Sequence, residues 1–131
     1  MKISNDELIK LAEQARKKAY APYSSFFVGA ALLCDDGSVY TGCNVENASF
    51  SPTCCAERVA IFKAVSEEKS QFEAIAIVGG KDGCKEPCYP CGVCRQVMRE
   101  FCSDSFRVIN SHGELTLGEL LPKSFKLEQG N

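Results

Sequence analysis

The sequence has no basic block and no long apolar run, and each absence excludes a class of protein. Lys and Arg residues are scattered through its 131 residues, and the formal net charge is −2. Nucleic-acid-binding domains usually carry a basic face that displaces counterions from phosphate. The longest apolar run, Phe26–Cys34, is far shorter than the about 20 residues that a membrane helix needs. The sequence therefore predicts a protein that binds neither nucleic acid nor membrane and takes a small, uncharged substrate.

A linker, an internal repeat and an export signal are also lacking. We therefore expect residues 1–131 to form one domain. The first residues lack the apolar stretch of a signal peptide, which leads us to expect a cytoplasmic, reducing location. The chain nevertheless has nine cysteines, and clustered cysteines in a reducing compartment indicate a metal site more often than disulfides. The single histidine, His112, lies in a Ser-His-Gly turn, and we interpret it as a surface residue rather than a ligand.

Local signals predict the order of the elements. Ser4 and Glu7 form a capping-box pattern before a helix whose apolar spacing continues to Ala19, with Pro22 closing the segment. Residues 26–33 and 39–45 flank an Asp-Asp-Gly-Ser turn and predict a hairpin. Residues 56–65 read as a buried helix, 72–78 as a buried strand, 92–101 as a helix and 106–110 as a strand. Thr116 and Glu119 form a second capping box, which opens a short final helix.

This order predicts an α/β sandwich. Its sheet is mixed, with an antiparallel first pair, and its later strands are expected to be joined by right-handed crossovers.

Two cysteine motifs at predicted helix starts carry the chemistry. The first is Cys55-Ala56-Glu57-Arg58, and the second is a Cys-x2-Cys pair at Cys91 and Cys94. Two thiolates at this spacing can bind one ion, and helix N-termini favour the thiolate form. A lone Cys-x2-Cys is equally compatible with a structural or a redox role. Three sulfur ligands beside a carboxylate, however, leave a fourth position free on a catalytic zinc.

These motifs resemble those of the zinc-dependent cytidine/deoxycytidylate deaminase family, and in particular its homotetrameric cytidine deaminase branch. The resemblance covers nearly the whole chain, over segments 21–26, 28–32, 42–48, 55–58, 90–97 and 119–122. It implies a three-layer α/β/α fold with a mixed five-stranded sheet. It also implies hydrolytic deamination of cytidine and of 2′-deoxycytidine, in pyrimidine salvage, by a zinc-activated water with Glu57 as proton shuttle.

The resemblance also assigns roles to individual residues. It implies one zinc ion per subunit held by Cys55, Cys91 and Cys94, with Arg58 donating a hydrogen bond to a ligand sulfur. Three thiolates on Zn²⁺ and an ionised Glu57 leave a net charge of −2, so a cation beside them is needed on charge grounds as well. The expected substrate contacts are Phe26 against the pyrimidine, Asn44 and Glu46 on the ribose, the backbone of Ala56 on the base carbonyl, and Phe125 from a neighbouring subunit.

Several alternatives stay open from the residues alone. Cys84, Cys88, Cys91 and Cys94 could form a closed four-thiolate module, and Cys88, Cys91 and Cys94 could hold an iron–sulfur cluster. Cys54 precedes Cys55 and could compete for the metal. The substrate could be another base, a cytosine-containing antibiotic or a nucleic acid. Phe50 stands where many relatives carry tyrosine, so no contact by a phenolic hydroxyl is carried over.

Overall fold

A single mixed sheet organises the chain. The structure is a computed structural model that describes residues 3–81 and 86–129. The strands are β1 (Phe26–Cys34), β2 (Val39–Cys43), β3 (Phe72–Lys81), β4 (Arg107–Asn110) and β5 (Gly113–Thr116), in the spatial order β2-β1-β3-β4-β5. The helices are α1 (Asn5–Arg16), α2 (Ala56–Ser66), α3 (Gly92–Phe101) and α4 (Leu117–Leu120).

Helices cover both faces of the sheet, which confirms the three-layer α/β/α prediction. On one face, Leu8 and Ala12 of α1 pack against Ala31, Leu33 and other buried strand residues. On the opposite face, α2 and α3 pack against alternate residues of the same strands, such as Ala30 and Leu32. Each strand therefore contributes to two cores, as the unbroken apolar runs of β1 and β3 require.

The strand pairing confirms a mixed sheet but corrects its connections. β1 is antiparallel to both β2 and β3, and β3 is parallel to β4. A crossover therefore joins β3 to β4, by way of α3. The expectation that all later strands are joined in this way is wrong for β5, which forms an antiparallel hairpin with β4. His112 lies in the exposed turn of that hairpin, as predicted.

Two predicted boundaries are wrong for the same reason. Helix α1 ends at Arg16 rather than near Pro22, and β2 ends at Cys43 rather than at Val45. The intervening residues pair with each other instead: the Tyr20 N–H donates to Asn44 O at 3.0 Å, and the Glu46 N–H donates to Tyr20 O at 2.9 Å. This non-local bridge takes both segments out of their predicted elements. The strands predicted over 72–78 and 106–110 differ less, since β3 continues to Lys81 and β4 begins at Arg107.

Helix α2 is buried on one face only. Ala56, Ala60 and Ala64 are fully buried against the sheet, whereas Phe62 is 49% exposed and Val65 is 38% exposed. The prediction of a buried helix is therefore wrong for its outer face, because α2 has the sheet on one side only. No helix within the described residues combines the length and the apolar character needed to cross a membrane.

Candidate metal centre and substrate pocket

Two helices begin close together, and a cysteine caps each of them. Cys55 is the N-cap of α2, and Cys91 is the N-cap of α3. Cys94 follows in the first turn of α3, and its N–H donates to Cys91 Sγ at 3.4 Å. Unpaired N–H groups and aligned peptide dipoles give both helix starts a partial positive charge. That charge is favourable for sulfur ligands, which must lose their protons to bind a metal.

The three sulfur atoms form a compact cluster. Cys55 Sγ lies 3.8 Å from Cys91 Sγ, and Cys91 Sγ lies 3.4 Å from Cys94 Sγ. Sulfurs bound tetrahedrally at about 2.3 Å from zinc are about 3.8 Å apart, so the cluster fits this metal. Over residues 3–81 and 86–129, no other group of three His, Cys, Asp or Glu side chains could hold an ion in this way. Three ligands leave the fourth position of a tetrahedral zinc open.

The competing cysteines do not join this cluster. Cys54 pairs through its backbone with Val45, and Cys88 is buried beside β3. Neither sulfur belongs to the group that could hold an ion. Cys84, the remaining member of the alternative four-thiolate module, lies outside the described residues.

Hydrogen bonds within the cluster shift the pKa values of Cys55 and Cys94 in opposite directions. A hydrogen bond from Cys94, aided by those from Arg58 and Cys91, lowers the pKa of Cys55 to about 5 in spite of its burial. The same shared hydrogen bond and burial raise the pKa of Cys94. Without metal, Cys55 therefore carries a negative charge and Cys94 keeps its proton.

Arg58 lies beside the cluster. Its Nη2 atom is 3.3 Å from Cys55 Sγ. Desolvation lowers the pKa of Arg58, but hydrogen bonds to Cys55 and Cys94 outweigh it and raise the pKa overall. The guanidinium therefore supplies a permanent positive charge at the sulfur cluster.

Glu57 is a buried carboxyl group in the first turn of α2, with 4% of its surface exposed. Burial raises the pKa of Glu57 to about 7, and the negative charge of Cys55 adds to this effect. The positive charge of Arg58 lowers the same pKa and offsets part of the increase. Near neutral pH, Glu57 can thus both accept and donate a proton.

A pocket of about 410 Å³ opens beside Glu57 and the sulfur cluster. Glu57, Cys55 and Cys91 line part of its wall. Four residues predicted to contact the substrate line it as well: Phe26, Asn44, Glu46 and Ala56. Ala56 is the first residue of α2, so its N–H has no partner within the helix.

Asn44 and Glu46 are held by different neighbours. Asn44 bridges to strand β1, because its Oδ1 accepts the N–H of Val28 and its Nδ2 donates to Phe26 O, both at 2.8 Å. Glu46 Oε1 accepts the N–H groups of Tyr23 at 3.0 Å and of Ser24 at 3.2 Å. Both side chains are therefore fixed in place before any ligand binds.

Phe125 is not brought to the pocket of its own chain. Its side chain is 65% exposed, and its carbonyl oxygen accepts a hydrogen bond from Gln96 Nε2 at 3.2 Å. Most of the surface of Phe125 therefore faces solvent.

Sequence reasoning missed several residues of the pocket wall. These residues are Ser24, Val28, Thr53, Cys54, Ile77, Glu86, Pro87, Cys88 and Tyr89. Ser24 stands next to Tyr23 in the segment 21–26, and that segment was the available signal. Val28 lies in the segment 28–32, and Cys54 and Cys88 were considered only as competing metal ligands. The remaining residues come from separate loops and strands, which sequence spacing does not connect.

Comparison with known proteins gives a consistent result. The family model for the cytidine and deoxycytidylate deaminase zinc-binding region matches residues 2–109. A cytidine deaminase of Halalkalibacterium halodurans is 53% identical over 129 residues, covering 95% of this chain and 96% of the relative. A cytidine deaminase from Sporosarcina psychrophila is 48% identical over 128 residues, covering 94% of this chain and 92% of the relative.

Solved structures agree with this result. The crystal structure of cytidine deaminase from Burkholderia pseudomallei has a TM-score of 0.85 at 47% identity and covers 94% of this chain and 100% of its own. The crystal structure of cytidine deaminase from Mycobacterium tuberculosis has a TM-score of 0.86 at 42% identity and covers 95% of this chain and 99% of its own. The chain therefore belongs to the cytidine and deoxycytidylate deaminase zinc-binding family.

Proposed function

We propose that this protein is a zinc-dependent cytidine deaminase. It converts cytidine and water to uridine and ammonia, and it acts on 2′-deoxycytidine in the same way, in pyrimidine salvage. The observation that carries the proposal is a cluster of three sulfurs next to a buried carboxyl group in the wall of a pocket. A structural zinc module would use a fourth protein ligand and would have no need of that carboxyl group.

The metal chemistry is assigned to three residues. Cys55, Cys91 and Cys94 would hold one zinc ion. When bound there, zinc would lower the pKa of a water molecule from 15.7 towards roughly 7, which provides a nucleophile at neutral pH.

Glu57 moves the protons. It accepts a proton from the attacking water and delivers it to ring N3 of the cytosine, and it then helps to protonate the amino group that leaves as ammonia. A pKa of about 7 suits this double role, because the group must both take up and release a proton at one pH.

Arg58 offsets the negative charge of the site. Three thiolates on Zn²⁺ carry a net charge of −1, which makes the metal a weaker Lewis acid. Arg58 hydrogen-bonds Cys55 Sγ at 3.3 Å, draws electron density from the sulfur and restores part of that acidity.

The other residues of the pocket wall bind the nucleoside. Phe26 packs against the pyrimidine ring, Asn44 and Glu46 bind the ribose hydroxyls, and the Ala56 N–H donates to the base carbonyl. Of the described residues that line the pocket, three are glutamates and none is Lys or Arg. This acidic lining favours a nucleoside over its 5′-phosphate.

We also propose a homotetramer whose subunits share active sites, in the cytoplasm, with residues 1–131 forming one domain. The exposed apolar face of α2, with Phe62 and Val65, supports an assembly because such surface is normally covered. Phe125, exposed and absent from the pocket of its own chain, is then free to complete the pocket of a neighbour.

An absorbance assay tests the proposal. Cytidine, 2′-deoxycytidine, cytidine 5′-phosphate and free cytosine are compared, and zinc is quantified on the same sample. We expect turnover of the two nucleosides, little of the phosphate or the free base, and one zinc per chain.

A matched pair of variants separates an enzyme from a structural zinc module. Glu57→Gln keeps the size of the side chain and should lower kcat by about 10²–10⁴-fold with zinc retained. Glu67→Gln, at the exposed C-terminal end of the same helix, should behave like the unaltered protein. Full activity in Glu57→Gln would refute the proposed mechanism.

A further inference from the structure

The loop that joins α1 to β1 forms one wall of the pocket and has an unusual backbone. Ser25 has a φ of 58°, in the left-handed region that non-glycine residues rarely adopt. Its neighbour Ser24 lines the pocket, and β1 begins directly afterwards at Phe26. A residue is held in this conformation only when surrounding contacts fix the loop.

The Ser24 hydroxyl makes two of those contacts. Its oxygen accepts the N–H of Phe26 at 3.0 Å, and its proton is donated to Oε2 of Glu46. Ser24 thus joins the start of β1, which carries the aromatic ring of the pocket, to a carboxylate on the opposite segment.

Glu46 accepts three hydrogen bonds from this loop. Oε1 receives the N–H groups of Tyr23 and Ser24, and Oε2 receives the Ser24 hydroxyl. These contacts, the hydroxyl of Ser24 foremost, hold the pKa of Glu46 below its usual value. A carboxylate has about four acceptor positions, so about one is left for a ligand hydroxyl.

The backbone of Glu46 is fixed independently of its carboxylate. Its N–H donates to Tyr20 O at 2.9 Å. The side-chain torsions are not set by that bond, so the loop determines which oxygen lone pair faces the pocket. Of the three loop contacts to Glu46, the Ser24 hydroxyl is the one that a single substitution can remove while the N–H groups of Tyr23 and Ser24 remain.

We propose that Ser24 is a positioning residue that orients Glu46 towards the sugar of the nucleoside. The inference rests on the proposed function, in which Glu46 binds the ribose. Ser24 acts at the sugar end of the pocket, whereas Glu57 and the sulfur cluster act on the base. Its loss should therefore raise KM and leave kcat nearly unchanged.

Ser24→Ala in the zinc-loaded enzyme tests this inference. A hydrogen bond to a charged group contributes enough that we expect KM for cytidine to rise roughly tenfold, with kcat within about twofold of the unaltered enzyme. Ser24→Thr keeps the hydroxyl at an exposed position and should restore KM. Ser103→Ala, which removes an exposed hydroxyl bonded to Ser105 away from the pocket, is the control.

Two further readouts distinguish positioning from a general loss of structure. On a Glu46→Gln background, Ser24→Ala should add little to KM, because the group that it orients has already been altered. With 2′,3′-dideoxycytidine, which lacks the ring hydroxyls, Ser24→Ala should leave KM unchanged.

Failure of the Ser24 proposal can be distinguished from failure of the proposed function. An unaltered enzyme that does not deaminate cytidine would overturn the proposed function. An active enzyme in which Ser24→Ala leaves KM unchanged, or raises it equally for cytidine and the dideoxy analogue, would overturn the role of Ser24 alone. A full Ser24→Ala effect on the Glu46→Gln background would do so as well.

Discussion

Gly42 allows α2, the helix that carries the proposed proton shuttle Glu57, to pack closely against the sheet, and adding one methyl group there should disturb catalysis. Gly42 lies in β2 opposite Ala30, and a Cβ at this position would lie 2.6 Å from both Ala56 O and Ala60 N of α2. These are backbone atoms, which no side-chain rotation can move. Ordinary contact begins at 3.4 Å, so Gly42→Ala must displace the first turn of α2 by about 0.8 Å.

That turn carries half of the proposed reaction centre. Cys55 caps α2, and Glu57 lies in its first turn, whereas Cys91 and Cys94 belong to α3 and would not move with them. A misplacement of about 1 Å can cost roughly 100-fold in rate, so we expect kcat to fall by about 10- to 100-fold. Overpacking should also destabilise the fold by about 1–3 kcal/mol.

Gly29→Ala is the matched control. Gly29 lies in β1 and faces the other helix layer, where a Cβ would lie 2.0 Å from Ala12 O and 2.4 Å from Arg16 N of α1. We expect a loss of stability at least as large as in Gly42→Ala, with kcat per folded, zinc-loaded chain close to that of the unaltered protein. Thermal melts, zinc content and steady-state kinetics well below both melting temperatures provide the measurements. Unchanged kcat in Gly42→Ala, or an equal loss in folded Gly29→Ala, would refute the argument.

Three more predictions concern the sulfur cluster. Arg58→Ala removes the hydrogen bond to Cys55 and should lower kcat about tenfold while zinc stays bound; unchanged turnover would count against a role in catalysis. Cys91→Ala should lose zinc and Cys88→Ala should keep it, as metal quantification can show; zinc loss in the second variant would make Cys88 a ligand. Because the pKa of Cys94 is raised, zinc must displace its proton, so zinc affinity measured against a chelator should increase from pH 6 to pH 8; a flat profile would contradict this assignment.

The parts of the fold that depend on neighbouring residues in sequence could be predicted. Both capping boxes are present: Ser4 with Glu7 begins α1, and Thr116 with Glu119 begins α4. Helix α3 has the predicted bounds, 92–101. These signals are local hydrogen bonds and periodicities, which operate within a few residues.

Elements fixed by distant pairing could not be predicted. The end of α1 and the end of β2 depend on the pairing of Tyr20 with Asn44 and Glu46, more than 20 residues apart. Strand β5 is a different case: it pairs with the adjacent β4 across a two-residue turn, but its four residues are too few and too exposed to show an apolar alternation. Such contacts leave no periodic pattern in either segment alone.

The same division applies to the candidate site. Cys55, Glu57, Cys91 and Cys94 could be selected because each lies at a predicted helix start, although their convergence came from the family resemblance. Cys88 could not be placed, because its position in the pocket wall depends on Gly79: a Cβ there would lie 2.7 Å from Cys88 Sγ. The space for the Cys88 thiol is therefore provided by strand β3, and the residues next to Cys88 in sequence do not indicate that this strand lies beside it.

Glu57 shows how two opposing effects set the chemistry of the site. The N-terminus of α2 favours an ionised Glu57 by about 0.3–1 kcal/mol, as it favours a thiolate at Cys55. Burial opposes this, and the negative charge of Cys55 adds to its effect; the net result is a pKa of about 7 instead of 4.5, which corresponds to roughly 3 kcal/mol, so the effects that raise the pKa prevail. The raised pKa that suits Glu57 to the proposed proton transfer therefore comes from its buried position in α2. The absence of a side chain at Gly42 allows α2 to lie close enough to the sheet for that burial.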